Sequence, residues 1–106
     1  MDSIIRGTNA TVQIKIKEDI DFSQLSSVEL CIYQATKKIV KPQSELILDA
    51  EARTITYVTT QEESFSLTPN RHVEITAWGL LNGQAFETRP VVTAKVENSR
   101  RTEVIT

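Results

Sequence analysis

Few side chains in this sequence have the types and spacing that catalysis requires. His72 is the only histidine, and a general base needs a nucleophile or a carboxylate partner that no pattern here marks. Cys31 is the only cysteine, and it alternates with apolar residues, which is typical of a buried structural thiol rather than a reactive one. The residues therefore indicate no catalytic group, and we expect the protein not to be an enzyme.

An acidic cluster is the one candidate for metal binding. Glu18, Asp19 and Asp21 lie together in a polar segment that we interpret as a loop, and calcium takes carboxylate oxygens in loops of this kind. The cluster lacks the glycine and the distal glutamate of an EF-hand loop. We therefore expect a solvated loop, with no metal and no cofactor.

Three aromatic residues are the candidates for a binding surface: Trp78, Tyr33 and Tyr57. Trp78 is out of phase with Val73 and Ile75 in its own segment, so it should lie on the face opposite theirs. Tryptophan is enriched at interfaces and is costly to leave in water. Two alternatives remain open at this point: Trp78 contacts a partner, or the chain's own tail covers it.

In the segments that must position these residues, apolar and polar residues alternate with a period of two. In one of them Val28, Leu30 and Ile32 share one face, and Cys31 and Tyr33 share the other. Period two is the pattern of strands with one buried face. It recurs at Thr11–Lys17, at Val73, Ile75 and Ala77, and at Val92, Ala94 and Val96. About eight such strands, separated by turns, predict an all-β, immunoglobulin-like antiparallel β-sandwich.

Local signals refine this prediction. Asn82-Gly83 between two strand-like runs predicts a type I′ hairpin turn, and Pro42 places the segment before it at a sheet edge. Pro90 predicts a bulge or an edge in the last hairpin. Either Thr60 or Thr59 is placed to serve as a helix N-cap, and either Glu62 or Glu63 to reach back to it, so we expect one helical turn at 60–65.

Chain length, net charge and the lack of long apolar runs limit the number of domains, the kinds of partner and the location of the protein. The 106 residues predict one domain, 1–106, with a short C-terminal tail at 98–106. A net charge of −2 gives no clustered positive surface, so we expect no nucleic-acid partner. The start of the chain lacks the features of a secretory signal, and no apolar run is long enough for a membrane span. We therefore expect synthesis in the cytoplasm and no membrane partner.

Several stretches together resemble a known family. They are IIRGTNATVQIKI, SSVELCIYQ, TQEESFSL and RHVEITAWGLLNGQAFETRPVVTAKV, and the resemblance as a whole runs from Ile4 to about Ile105. The chain resembles small immunoglobulin-like proteins encoded in prophages of Gram-positive bacteria, and it is similar to the N-terminal domain of phage baseplate upper proteins. Those proteins continue into further regions, so the resemblance implies a small standalone structural or assembly protein of a phage tail or baseplate, with the virion as one expected location.

Two functional hypotheses follow. In the first, the protein associates with a protein partner or with itself as a homo-oligomer, through sheet edges, the face of Trp78, and a tail that carries Val104 and Ile105. An extended tail can add a strand to a neighbouring sheet. In the alternative, Trp78, Tyr33 and Tyr57 form a platform for carbohydrate or another surface.

Overall fold

The computed structural model describes residues 3–17, 19–88, 92–100 and 103–105. These residues form nine strands and one short α-helix, α1, at Gln61–Phe65. The strands are β1 Ser3–Ile5, β2 Thr11–Lys15, β3 Leu25–Gln34, β4 Lys37–Pro42, β5 Ile47–Asp49, β6 Thr54–Val58, β7 His72–Leu81, β8 Gln84–Glu87 and β9 Val92–Glu97. Two short 3₁₀ turns lie at Phe22–Gln24 and Gln43–Glu45.

The strands form two sheets that pack face to face. The larger sheet has the order β1-β9-β7-β3-β4, with β8 paired to β7, and the smaller sheet has the order β2-β6-β5. This arrangement confirms the predicted all-β, immunoglobulin-like sandwich. One described pair of strands departs from the predicted antiparallel arrangement. The first strand, β1, lies beside the last strand, β9, and runs parallel to it, with Ile4 opposite Val96.

The core forms between the inner faces of the two sheets, as the period-two pattern requires. Val28, Leu30 and Ile32 of β3 are fully buried, and each such side chain stabilises the fold by roughly 1.5–3 kcal/mol. Both sheets contribute to the same cluster. Its members are Ile4, Val12, Ile14, Ile16, Leu25, Val28, Leu30, Ile32, Ile55, Tyr57, Leu67, Val73, Ile75, Ala77, Ala94 and Val96.

The predicted turns are present where they can be described. Asn82 and Gly83 both have positive φ, 52° and 80°, and they join Leu81 to Gln84 directly across the β7–β8 hairpin. This is the backbone that a type I′ turn requires. β4, which ends at Pro42, lies at an edge of the larger sheet as predicted. The bulge or edge predicted at Pro90 lies outside the described residues.

Two of the stretches that carry the family resemblance lie against each other, IIRGT at 4–8 and TQEESF at 60–65. Arg6 donates a hydrogen bond of 2.9 Å to the carbonyl oxygen of Phe65, and Gly7 has a φ of +78°. A Cβ atom on Gly7 would lie 2.3 Å from the ring of Phe65, so glycine is required there. Of the alternatives predicted for this helical turn, the structure has Thr60 as the N-cap and Glu63 as its reciprocal partner in a capping box of α1. These motif residues therefore join α1 to the turn after β1.

Candidate functional site

The structure brings Trp78 and Tyr33 together on the outer face of the larger sheet. Their ring centroids are 6.5 Å apart, with 52° between the ring planes. Both side chains are half-buried. The indole nitrogen Nε1 of Trp78 donates a hydrogen bond of 2.8 Å to Oε1 of Glu29, and this bond fixes the indole orientation. The sequence prediction that Trp78 points away from the core is consistent with this position.

Two buried residues of the outer face, Cys31 and Thr76, lie in register on β3 and β7, the strands that carry the aromatic pair. Cys31 lies on this outer face, in register with Thr76 of β7 and with Val40 of β4, and it is fully buried. Burial raises the pKa of the Cys31 thiol, although its hydrogen bond with Tyr33 acts in the opposite direction. The same hydrogen bond is the main reason that the pKa of Tyr33 is raised. Cys31 is therefore a buried structural thiol that contacts Tyr33.

Val40 extends this surface toward the sheet edge. Its side chain is 37% exposed and lies directly across from Cys31. We call the side chains of Tyr33, Val40 and Trp78 the outer-face patch. Three different strands contribute to it, so its apolar surface is held by the sheet rather than by a loop.

A cation of the same chain already lies over the aromatic pair. Nζ of Lys38 is 5.5 Å from the ring centroid of Trp78 and 5.6 Å from that of Tyr33. Both distances are within the range of a cation–π contact. Lys38 is otherwise exposed, at the start of the edge strand β4.

Three carboxylates flank the two rings. Glu29 and Glu87 are the residues directly opposite Trp78 on its two neighbouring strands, and Glu74 is directly opposite Tyr33. Directly opposite side chains have Cβ atoms about 4.5–5.5 Å apart. Carboxylates from three strands, β3, β7 and β8, therefore border the aromatic pair.

Two concave surfaces adjoin this region. An open cleft of about 430 Å³ lies beside Tyr33 and is also lined by Ala35, His72 and Glu74. A more apolar pocket of about 210 Å³ opens where the segment after β2 approaches the β7–β8 hairpin. It is lined by Ile16, Ile20, Leu81, Phe86, Glu87 and Thr88. His72 is exposed and serves here as one wall of the cleft.

Tyr57 does not belong to the outer-face patch, so its grouping with Trp78 and Tyr33 was wrong. It lies in the core opposite Val12 of β2, with 5% of its surface exposed. Its hydroxyl donates a hydrogen bond of 2.5 Å to Oε1 of Glu63. Burial, followed by this hydrogen bond, raises the pKa of Tyr57 to about 12. The signal was present in the sequence, because Tyr57 is in phase with Ile55.

The described part of the tail is held beside α1. The side chain of Gln61 donates to the carbonyl oxygen of Ile105 at 3.0 Å and accepts from the backbone nitrogen of Ile105 at 2.7 Å. Val104 is half-buried, whereas the side chain of Ile105 is 61% exposed. The partners found for Trp78 are Glu29, Tyr33 and Lys38. The described tail residues are thus bound at α1 rather than over Trp78.

The acidic loop has structural partners. Asp19 forms an ion pair of 2.5 Å with Arg53, and Asp21 caps the first 3₁₀ turn by accepting from the backbone nitrogen of Ser23 at 3.0 Å. Glu18 lies outside the described residues. Within the part of the chain that the structure describes, no group of three or more histidine, cysteine or acidic residues is placed to hold a metal ion. The described residues also contain no helix long and apolar enough to cross a membrane.

Comparison with known proteins adds support at the level of the fold. No family model matches the chain, and no curated protein matches its sequence. Among solved structures, the chain is similar to the endo-β-1,4-mannanase from Thermotoga petrophila, with a TM-score of 0.56 and 14% sequence identity. The match covers 93% of this chain but 18% of the mannanase chain. At this identity the likeness shows a shared sandwich fold and no more.

Proposed function

We propose that the protein is a non-catalytic structural or assembly component of a phage tail or baseplate, and that it acts through protein–protein contacts made by the outer-face patch. The observation that carries this proposal is the half-buried pair of Trp78 and Tyr33 on an open sheet face. The phage context is supported by the resemblance of the IRGT and TQEE motifs, at Ile5–Thr8 and Thr60–Glu63, to prophage-encoded proteins.

The patch has the properties of a contact surface between proteins. Aromatic residues with a polar end are enriched in the centres of interfaces, because they bury a large area with few rotatable bonds. The hydrogen bond from Trp78 to Glu29 restricts the indole before any partner arrives. A restricted side chain loses less conformational entropy on binding, which favours the complex.

A face contact is favoured over pairing at the β4 edge of the larger sheet. The larger sheet ends at β4, which carries Lys37, Lys38, Lys41 and Pro42. Lysine and proline at an edge oppose the addition of another strand. Self-association into a homo-oligomer through the patch, or docking on a fixed partner, is the form of contact that we propose.

Mass spectrometry of phage-like particles from an induced culture of the source strain tests the phage role. Peptides of this chain at the stoichiometry of tail components support a structural subunit. Their absence from particles, with the protein present in the lysate, overturns the structural form of the proposal.

A pair of variants tests the surface. Trp78→Ala should reduce incorporation into particles or self-association, whereas Ile47→Ala should leave both unchanged, since Ile47 is 63% exposed on the smaller sheet. Equal incorporation of both variants, with circular dichroism that confirms folding, would contradict a role for the outer-face patch.

Carbohydrate binding is the second candidate function. The cleft beside Tyr33, with Glu74 and His72 on its walls, is the observation that favours it. A solved structure of similar fold is a mannanase, although the match covers less than a fifth of that protein. Because Lys38 lies over both rings, a sugar would have to displace its ammonium group. A glycan array with the wild type and with Lys38→Ala tests this, and no binding by either protein rejects it.

A further inference from the structure

We infer that the open edge of β2 and the apolar pocket at its end form a binding site for an extended segment of a protein partner. In this site the segment pairs with β2 as an added strand and places one aliphatic side chain in the pocket. None of the residues of the outer-face patch lines the pocket, so the site is separate from that patch. It goes beyond the proposed function and does not depend on the phage role.

The first argument concerns the hydrogen bonds of β2. This strand ends the smaller sheet and has β6 as its one strand neighbour among the described residues. At one end of the pair, the backbone nitrogen of Thr59 donates to the carbonyl oxygen of Ala10 at 2.9 Å. At the other end, the backbone nitrogen of Ile16 donates to the carbonyl oxygen of Arg53 at 2.8 Å. Hydrogen-bonded pairs alternate along an antiparallel ladder, so it is the even-numbered residues of 10–16 that bond to β6.

The odd-numbered residues of β2 therefore turn their N–H and C=O groups away from β6. They are Thr11, Gln13 and Lys15. The side chain of Gln13 donates to Oγ1 of Thr56 at 3.1 Å, so it lies over its own sheet and leaves the edge uncovered. Donors and acceptors at this regular spacing are matched by the backbone of another strand. The edge thus specifies an extended polypeptide as its occupant.

β2 is also the least protected of the described edges. β1, β5 and β8 have only three or four residues each, and β4 carries three lysines and ends at Pro42. Short length, lysine and proline are the means by which edge strands oppose the addition of another strand. β2 has five residues and a single lysine, Lys15, at its last position.

The second argument concerns the pocket of about 210 Å³. Its lining includes Ile16, directly after β2, and Phe86 of β8. Both β2 and β8 have one strand neighbour among the described residues. Residues directly opposite each other on paired strands point their side chains to the same face. Because Ile16 points into the core, the residue of an added strand opposite Ile16 also points inward, toward the pocket.

The size and lining of the pocket indicate what that residue is. Four of the six lining residues are apolar: Ile16, Ile20, Leu81 and Phe86. Sites for small molecules have volumes of about 300–1,000 Å³, and this pocket is smaller. It therefore suits one aliphatic side chain, while the backbone of the same segment bonds to the edge.

Amide NMR spectra of the intact protein test the site residue by residue. In the free protein the amide hydrogens of Thr11, Gln13 and Lys15 should exchange rapidly with solvent, whereas those of Val12 and Ile14 should be protected. The probe is an acetylated, amidated Thr-Ala-Thr-Leu-Thr-Ala-Thr peptide. We expect it to shift and protect the three outward amides. The absence of any shift at millimolar peptide overturns the inference.

Two changes in the peptide separate the edge from the pocket. N-methylation of its threonines keeps every side chain but removes the N–H groups that would bond to β2, and it should weaken binding about ten-fold or more. Replacement of its leucine by alanine keeps the backbone and should weaken binding about ten-fold. Equal affinity of the N-methylated peptide contradicts strand addition, and equal affinity of the alanine peptide contradicts the role of the pocket.

Two substitutions in the protein give the matching test. Gln13→Pro removes an outward N–H and no bond to β6, and proline is tolerated at edge positions of this kind. It should leave the circular dichroism unchanged and weaken peptide binding about ten-fold. Gln13→Ala removes the same side chain, keeps the N–H and should bind as the wild type does. Equal affinity of the two variants overturns the inference, and if Gln13→Pro does not fold, the N-methylated peptide still decides.

A second copy of the chain is the alternative occupant, and the same spectra identify it. If protection of Thr11, Gln13 and Lys15 in the free protein rises with protein concentration, and Gln13→Pro abolishes this rise, β2 pairs with itself and the inferred partner segment is wrong. Particle incorporation of Trp78→Ala reports on the outer-face patch alone, so failure of the proposed function remains distinguishable from failure of this site.

Discussion

Glu63 connects three parts of the molecule, and its removal is the sharpest test of this structure. Its carboxylate accepts hydrogen bonds from the Tyr57 hydroxyl at 2.5 Å and from the Thr60 backbone nitrogen at 2.8 Å. It also forms an ion pair of 2.5 Å with Lys41. One side chain therefore links β6 of the smaller sheet, the N-terminus of α1 and β4 of the larger sheet.

The expected cost of Glu63→Ala is about 2–4 kcal/mol of unfolding free energy. Loss of the reciprocal hydrogen bond to Thr60 costs roughly 1 kcal/mol. The buried hydroxyl of Tyr57 would lack its acceptor, which costs roughly 1–3 kcal/mol. The ion pair adds less than about 1 kcal/mol, because the side chains of Lys41 and Glu63 remain 21% and 16% exposed. A domain of this size has a stability of about 5–15 kcal/mol, so the loss is large.

Urea denaturation at pH 7, followed by circular dichroism, measures this difference. Glu63→Gln keeps an acceptor for Tyr57 and Thr60 but removes the charge, so it should cost about 1 kcal/mol. Glu62→Ala, at the exposed neighbouring position of α1, is the matched control and should stay within about 0.5 kcal/mol of the wild type. A Glu63→Ala protein as stable as Glu62→Ala would refute the network.

The pH dependence gives a second check on Glu63. Burial opposes ionisation of this carboxyl, but hydrogen bonds from Lys41, Thr60 and Tyr57 outweigh it and lower its pKa in the folded protein. A lowered folded-state pKa gives stability that is present above the unfolded value, about 4.3, and is lost as the pH falls through the folded value. The difference between wild type and Glu63→Ala should therefore shrink in acid.

Three further predictions concern single positions. Because the pKa of Tyr57 is raised to about 12, wild-type stability should fall by roughly 2 kcal/mol as the pH rises from 10 to 12, and Tyr57→Phe should flatten this fall in urea denaturation. Gly7→Ala should cost about 2–4 kcal/mol, since it combines a positive φ with a contact of 2.3 Å to Phe65, and its melting temperature should show this. Cys31 is fully buried, so it should react with a thiol reagent at the rate of unfolding, and rapid reaction of the native protein would contradict its place beneath Tyr33.

The features that sequence predicted well depend on neighbouring residues. The alternation of Val28, Leu30 and Ile32 gave the buried face of β3, because successive side chains of any strand point to opposite sides. Asn82-Gly83 predicted its turn because both positions must adopt positive φ. The run of threonine and glutamate before Phe65 predicted a capped helical turn, and the structure selects Thr60 and Glu63, whose side chains reach each other's backbone across that turn.

The features that local sequence could not establish depend on register between distant strands. Tyr33 and Trp78 were grouped by residue type alone, because they are separated by 45 positions of chain and only the pairing of β3 with β7 places them together. The same pairing places Glu74 beside Tyr33. Tyr57 was assigned to the wrong surface because aromatic character was given more weight than its phase with Ile55. The parallel pairing of β1 with β9 has no local signal at all.

Exposure of apolar groups alone would have selected a different surface. Ile47 and Val58 lie on the outer face of the smaller sheet and are 63% and 46% exposed, more than Val40 at 37%. Single exposed aliphatic residues are common on soluble proteins and need no functional explanation. Trp78 differs from them because a hydrogen bond from its indole nitrogen to Glu29 orients its ring. That preorganisation, rather than the amount of exposed apolar surface, is the physical reason to place the protein–protein contact on the larger sheet. A stronger loss of assembly from Ile47→Ala than from Trp78→Ala would place the contact on the smaller sheet instead.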